Sequence, residues 1–147
     1  MSVVIELNIS EVEKLAKELN SYVLSNEQRK NLLHDMGVEV REQTLDRFDF
    51  EEDPKGNPWK KLADATIKYK NKICSGGILE RSGLLKDSLD VQVKDKNSVL
   101  IGAVRHYAEY HQIGSSKLSA RPFLGISPEN INDLALIANR WVKNHAG

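Results

Sequence analysis

One cysteine, no excess of either charge and no long apolar run mark this 147-residue chain. Cys74 has no partner for an internal disulfide, so folding rests on packing, and a lone thiol fits a reducing compartment. Lys plus Arg and Asp plus Glu each count 21, which removes the net field that draws a protein to nucleic acid or to an anionic membrane. No segment approaches the roughly 18 apolar residues of a membrane span. The opening MSVVIELNISEVEK lacks the basic flank and apolar run of a signal peptide. The expectation is a soluble protein made in the cytoplasm. A P-loop, a dinucleotide glycine pattern, HExxH, CxxC and GxSxG are missing too, which lowers the case for an enzyme.

The chain is long enough for one domain that buries about 70% of its unfolded surface and too short for two ordinary ones. A single domain over residues 1–147 is therefore expected. Val3, Ile5, Leu7 and Ile9 alternate with Val4, Glu6 and Asn8 and predict a strand suited to a sheet edge. Ser10 and Glu13 form a capping-box pair, and Val12, Leu15, Ala16, Leu19 and Val23 predict one amphipathic helix to about Leu24. Ser25 and Gln28 repeat the capping signal before a longer helix to about Phe48, with a stripe of Leu33, Met36, Val40, Thr44 and Phe48. Gly37 inside it costs about 1 kcal/mol against alanine, so either a neighbouring backbone approaches there or the defect is tolerated.

Two prolines, a glycine and an acidic run make FDFEEDPKGNPWKKL a turn region, with Trp59 a lid on the core rather than a ligand platform. Asp64 is placed to cap a short helix through Ala65, Ile67 and Tyr69, followed by a mobile loop, NKICSGG. Ser82 caps a second short helix. Leu89, Val91 and Val93, a KDKN turn and SVLIGA then give a hairpin over Ser88 to Ala103. HYAEYHQIG predicts a short helix ended by Gly114, and ARPFLGI an extended segment able to join the sheet. Ser127, Pro128 and Glu129 start a last helix with one apolar face from Ile131 to Val142. The fold class is α+β: a small antiparallel sheet with a central hairpin, packed against N-terminal and C-terminal helices.

Catalytic chemistry would have to come from His106, Glu109 and His111. The two histidines are five apart, about 140° around a helix, so they form no i, i+4 metal pair. Glu109 with either histidine is an acid/base couple only if a nucleophile arrives from elsewhere, and Cys74 is the sole thiol. The bland alternative places both histidines on the polar side of a short helix whose Tyr107, Tyr110 or Ile113 packs inward. Lys60, Lys61, Lys68, Lys70 and Lys72 cluster mildly and read as a solvated face, too sparse for a nucleic-acid groove.

Four pieces in this order resemble the phage virion morphogenesis family, the phage Mu G-like tail completion proteins, over about Thr44 to Trp141. They are a DPxGxPW loop (Asp53, Pro54, Gly56, Pro58, Trp59), an LxRSGxLxDS segment (Leu79, Arg81, Ser82, Gly83, Leu85, Asp87, Ser88), a YAxxHQxG helix (Tyr107, Ala108, His111, Gln112, Gly114) and ARPFLG (Ala120 to Gly125). The resemblance implies a non-enzymatic structural protein of a phage or prophage, with no cofactor, that completes the tail and enables head-tail joining. It implies a homo-oligomeric ring at the neck or tail end, built in the host cytoplasm and meeting tail tube and head-tail connector proteins. Membrane and sequence-specific nucleic acid are not expected partners, and DNA is met only passively, in transit. Tyr107, Ala108 and Gly114 would shape a helix and turn, while Arg121, Pro122 and Phe123 anchor the returning segment. The alternative is a small enzyme using His106, Glu109 and His111.

Overall fold

The alternation in the first residues is realised as an edge strand. In the computed structural model, which describes residues 2–73, 78–79 and 84–145, β1 (Val3–Asn8), β2 (Leu89–Val93) and β3 (Ser98–Ala103) form an antiparallel sheet in the order β1-β3-β2. Seven helices complete the α+β architecture among the described residues. The central β3 is buried except at Leu100, while β2 alternates Leu89, Val91 and Val93 with exposed Asp90 and Gln92. Asp95 closes the hairpin turn by accepting from the Asn97 amide at 2.7 Å and the Ser98 amide at 3.0 Å. The chain groups into two compact units.

One unit comprises Ile5–Gln43, Val91–Ile101 and Ile126–Gly147. Here the single N-terminal helix expected from the sequence is two short ones, α1 (Ile9–Glu13) and α2 (Lys17–Asn20). Asn8, not Ser10, caps α1, its side chain accepting from the Ser10 amide at 2.9 Å. The break has a tertiary cause. Asn139 accepts from the Glu18 and Leu19 amides at 3.2 and 3.3 Å, so the free N–H groups of α2 are met from α7 (Pro128–His145). Leu15 and Val23, expected on the buried stripe, are exposed as a result.

The long helix α3 (Asn26–Phe50) starts on the expected reciprocal box, with Ser25 N–H to Gln28 Oε1 at 2.9 Å and Gln28 N–H to Ser25 Oγ at 3.1 Å. Its whole stripe, Leu33, Met36, Val40, Thr44 and Phe48, is buried. Gly37 marks a close approach by side chains, not backbone: a Cβ there would lie 2.5 Å from Val91 Cγ1 and 2.9 Å from Val99 Cγ2. Helix α7 begins on Ser127 as expected, but Asn130 supplies the reciprocal group, at 3.1 Å in both directions. Leu134, Ala135, Ala138, Trp141 and Val142 form its buried face, and Trp141 Nε1 donates to Asp35 at 3.1 Å.

The other unit comprises Met1–Val4, Thr44–Asp90 and Gly102–Gly125. It holds α4 (Asp64–Ile73), α5 (Leu84–Asp87) and α6 (Ala108–Ile113). Asp64 is the first helical residue rather than the cap, and α4 continues through Asn71, Lys72 and Ile73, where a loop was expected. The rest of that loop lies outside the described residues, as does Ser82. The Ala120 to Ile126 segment does not join the sheet. Its polar groups are met mostly by side chains instead.

Candidate functional site

Three motif segments meet in this second unit: the Asp53 turn, helix α6 and the strap from Arg121 to Gly125. The turn is closed by one carboxylate. Asp53 Oδ1 accepts from the Lys55 amide at 2.8 Å and the Asn57 amide at 2.9 Å, and Oδ2 from Asn57 Nδ2 at 3.3 Å. Burial raises the Asp53 pKa, but the Asn57 and Lys55 donors outweigh it and hold the carboxyl below its ordinary value. Gly56 takes φ +86° and donates to Asp53 O at 3.0 Å, while Pro58 pairs with Glu52 in a short bridge. The turn therefore delivers Trp59 in one direction.

Trp59 is buried and packs edge-on against Phe48 at 5.7 Å, and Phe123 meets the same Phe48 ring at 5.6 Å. Such aromatic pairs add about 0.5–1.5 kcal/mol each beyond area burial. Trp59 thus packs into the core. Its indole N–H also donates to Pro122 O at 2.7 Å.

An extended segment outside a sheet must find partners for its backbone elsewhere. Arg121 N–H donates to His111 O at 2.7 Å. Arg47, buried on α3, donates to Phe123 O at 2.8 Å. Gln112 Oε1 accepts from the Phe123 and Leu124 amides, both at 3.0 Å, and its Nε2 donates to Leu124 O at 2.7 Å. The Gln112 amide does for this strap what a neighbouring strand would do. Arg121 turns its own guanidinium to Lys60 O at 2.8 Å and Lys61 O at 3.3 Å. Burial lowers the pKa of both arginines, against the pull of Asp53, Glu52 and Asp46 on Arg47. At Gly125 a Cβ would lie 2.6 Å from Pro54 Cγ, which ties the turn to the strap.

Gly114 ends α6 with φ +79°, and a Cβ there would lie 2.9 Å from Ala120 N and 3.0 Å from Leu118 O. Both backbone angle and space demand glycine. The buried residue of α6 is Ala108; Tyr110 and Ile113, candidates for inward packing, are exposed, and Tyr107 is half-buried. Lys70 departs from the solvated face expected of the lysine cluster, because it is buried. Leu85 is buried on α5, whereas Arg81, Ser82 and Gly83 lie outside the described residues.

The two histidines lie in different surroundings. His106 and Glu109 are exposed, and the Tyr107 ring stands edge-on to His106 at 5.4 Å and to His111 at 6.0 Å. His111 Nδ1 is buried without a hydrogen-bond partner. Burial first and the Arg121 charge second push its pKa below the ordinary 6.5, which favours the neutral ring. Among the described residues no three His, Cys, Asp or Glu side chains are placed to hold a metal, and Cys74 lies outside them. Nor is any helix among them long and apolar enough to cross a membrane. Arg47 was not singled out by sequence reasoning, and Gln112 was named only as part of the YAxxHQxG motif. The only signal for Arg47 was its place beside Thr44 and Phe48 on a buried stripe.

A model of the phage virion morphogenesis family matches residues 7–143, reaching well beyond the stretch from Thr44 that carries the motifs. The Mu-like prophage FluMu G protein 1 of Haemophilus influenzae is 36% identical over 104 residues, which cover 69% of this chain and 70% of that protein. No solved structure matches.

Proposed function

Because this chain belongs to the phage virion morphogenesis family, we propose that it completes the phage tail and enables head-tail joining, as a homo-oligomeric ring at the neck or tail end. The observation that carries the reading is the junction of the Asp53 turn, α6 and the strap. The polar groups described there hold backbone to backbone: Asp53 its own turn, Gln112, Arg47 and Trp59 the strap, Arg121 the segment before α4. Such groups maintain a shape and leave no acid, base or nucleophile poised for a substrate. The protein is a structural part of the particle and not an enzyme, and its partners are tail tube and head-tail connector proteins. It assembles in the host cytoplasm and needs no cofactor.

Electron microscopy of particles made after deletion of the gene tests this reading. Full heads beside separate tails are expected for a protein acting at the joint, and tails of uncontrolled length for one acting at the tail end. Normal infectious particles would refute it. Replacing His106 and His111 with alanine separates structure from catalysis, because assembly should survive wherever the fold survives.

A further inference from the structure

Most of the described side chains of helix α4 are exposed. Every residue from Asp64 to Tyr69 is exposed, and Lys70 is buried. A ten-residue helix is marginal in water without tertiary packing, yet this one starts at a fixed point, because Arg121 holds the Lys60 and Lys61 carbonyls just before it. Helical spacing puts Ala65, Lys68 and Tyr69 together on the side away from Lys70. Lys60, Lys61 and Lys68 are exposed, against Asp64 as the acid within the helix's first turn. The surface is basic with an aromatic and small apolar groups between its charges.

The same unit carries a surface of the opposite sign. From Asp46 to Asp53 the sequence has five carboxylates, Asp46, Asp49, Glu51, Glu52 and Asp53, with Arg47 as the one cation among them. Arg47 is buried and donates inward to Phe123 O. Lys86 reaches Asp49 at 3.5 Å, across a pair both of whose members are solvent-accessible. Phe50 projects from this acidic end of α3 with 72% of its surface exposed. An exposed large aromatic beside one charge and an exposed helix face beside the other are complementary.

We propose that the Phe50-bearing end of α3 in one copy docks on α4 of the next copy, with Phe50 against Ala65 and Tyr69 and the carboxylates facing Lys60, Lys61 and Lys68. The inference rests on the homo-oligomeric reading above and names its contact. Repeated head to tail the contact is heterologous, each copy offering one half of two interfaces, the arrangement from which a closed ring is built.

Native mass spectrometry of three proteins, the natural chain, D46K/F50S and K61E/K68E, tests it. All four substituted positions are exposed, so circular dichroism should show each variant folded. The natural chain should be oligomeric and each variant a single chain. An equimolar mixture of the variants should give a one-to-one dimer and nothing larger, since each retains one competent patch. Variants that keep the natural oligomer would overturn this interface while leaving the homo-oligomeric reading standing; a natural chain that is monomeric throughout would remove both. A readout without variants is carbodiimide coupling of a mixture of 14N and 15N natural protein. Mixed-isotope links between residues 46–53 and 60–68 are expected, and an oligomer that yields none refutes the proposal.

Discussion

Replacing Gln112 with alanine should release the strap. In the folded chain its amide makes three hydrogen bonds, to Phe123 N, Leu124 N and Leu124 O, at 3.0, 3.0 and 2.7 Å. Phe123 and Leu124 are buried, so truncation leaves their backbone groups short of partners with limited access to water. At about 1 kcal/mol net for each bond, the loss is about 3 kcal/mol, or about a 150-fold shift in the folding equilibrium. For a chain of this size that is a fall of about 6–12 °C in melting temperature. Urea unfolding followed by Trp59 fluorescence in a Trp141→Phe background reports on this unit, because Trp59 itself bonds to Pro122 O. Gln112→Glu is the informative control. Its carboxylate can still accept from both amides but opposes Leu124 O, so the variant should fall between the two at pH 7. It should recover toward the natural protein in acid, when the new carboxyl can donate. A Gln112→Ala protein within about 0.5 kcal/mol of the natural one would refute the clamp.

Gly37→Ala should destabilise by about 1 kcal/mol, because overpacking costs about 1–3 kcal/mol and exceeds the propensity gain of about 1 kcal/mol; denaturant midpoints of Gly37→Ala, Val91→Ala and the double variant should show the clash relieved in the pair. Gly114→Ala forces a side chain into φ +79° and against Ala120 N, so it should cost at least about 1–3 kcal/mol in the same assay. His111 has a folded pKa below 6.5, so the unfolded chain takes up its proton first. The stability it contributes is complete above pH 6.5 and is lost as pH falls toward the folded value; melts at pH 7.5 and 5.5 should differ less for His111→Gln than for the natural chain. Trp59→Phe keeps a ring against Phe48 but leaves Pro122 O without its donor, and should lower thermal stability by about 1–3 kcal/mol.

Local patterns in the chain were sufficient for the features that close neighbours enforce. The Ser25 and Gln28 box, the stripe from Leu33 to Phe48, the alternation of β2 and the glycine end of α6 all appear where spacing predicts them. Each depends on residues a few positions apart, so local geometry sets which side chains share a face or meet a cap. The motif order likewise pointed to the family that the match over residues 7–143 shows. Tertiary structure decided what depends on distant partners. Asn139 splits the first helix by meeting amides some 120 positions away. Gln112, Arg47 and Trp59 keep the Arg121 to Gly125 segment out of the sheet by satisfying its backbone themselves. Tyr110 and Ile113 face outward and Lys70 inward against the pattern of their side chains. Burial follows from which surfaces happen to meet, and a stretch of sequence carries no record of the surface opposite it.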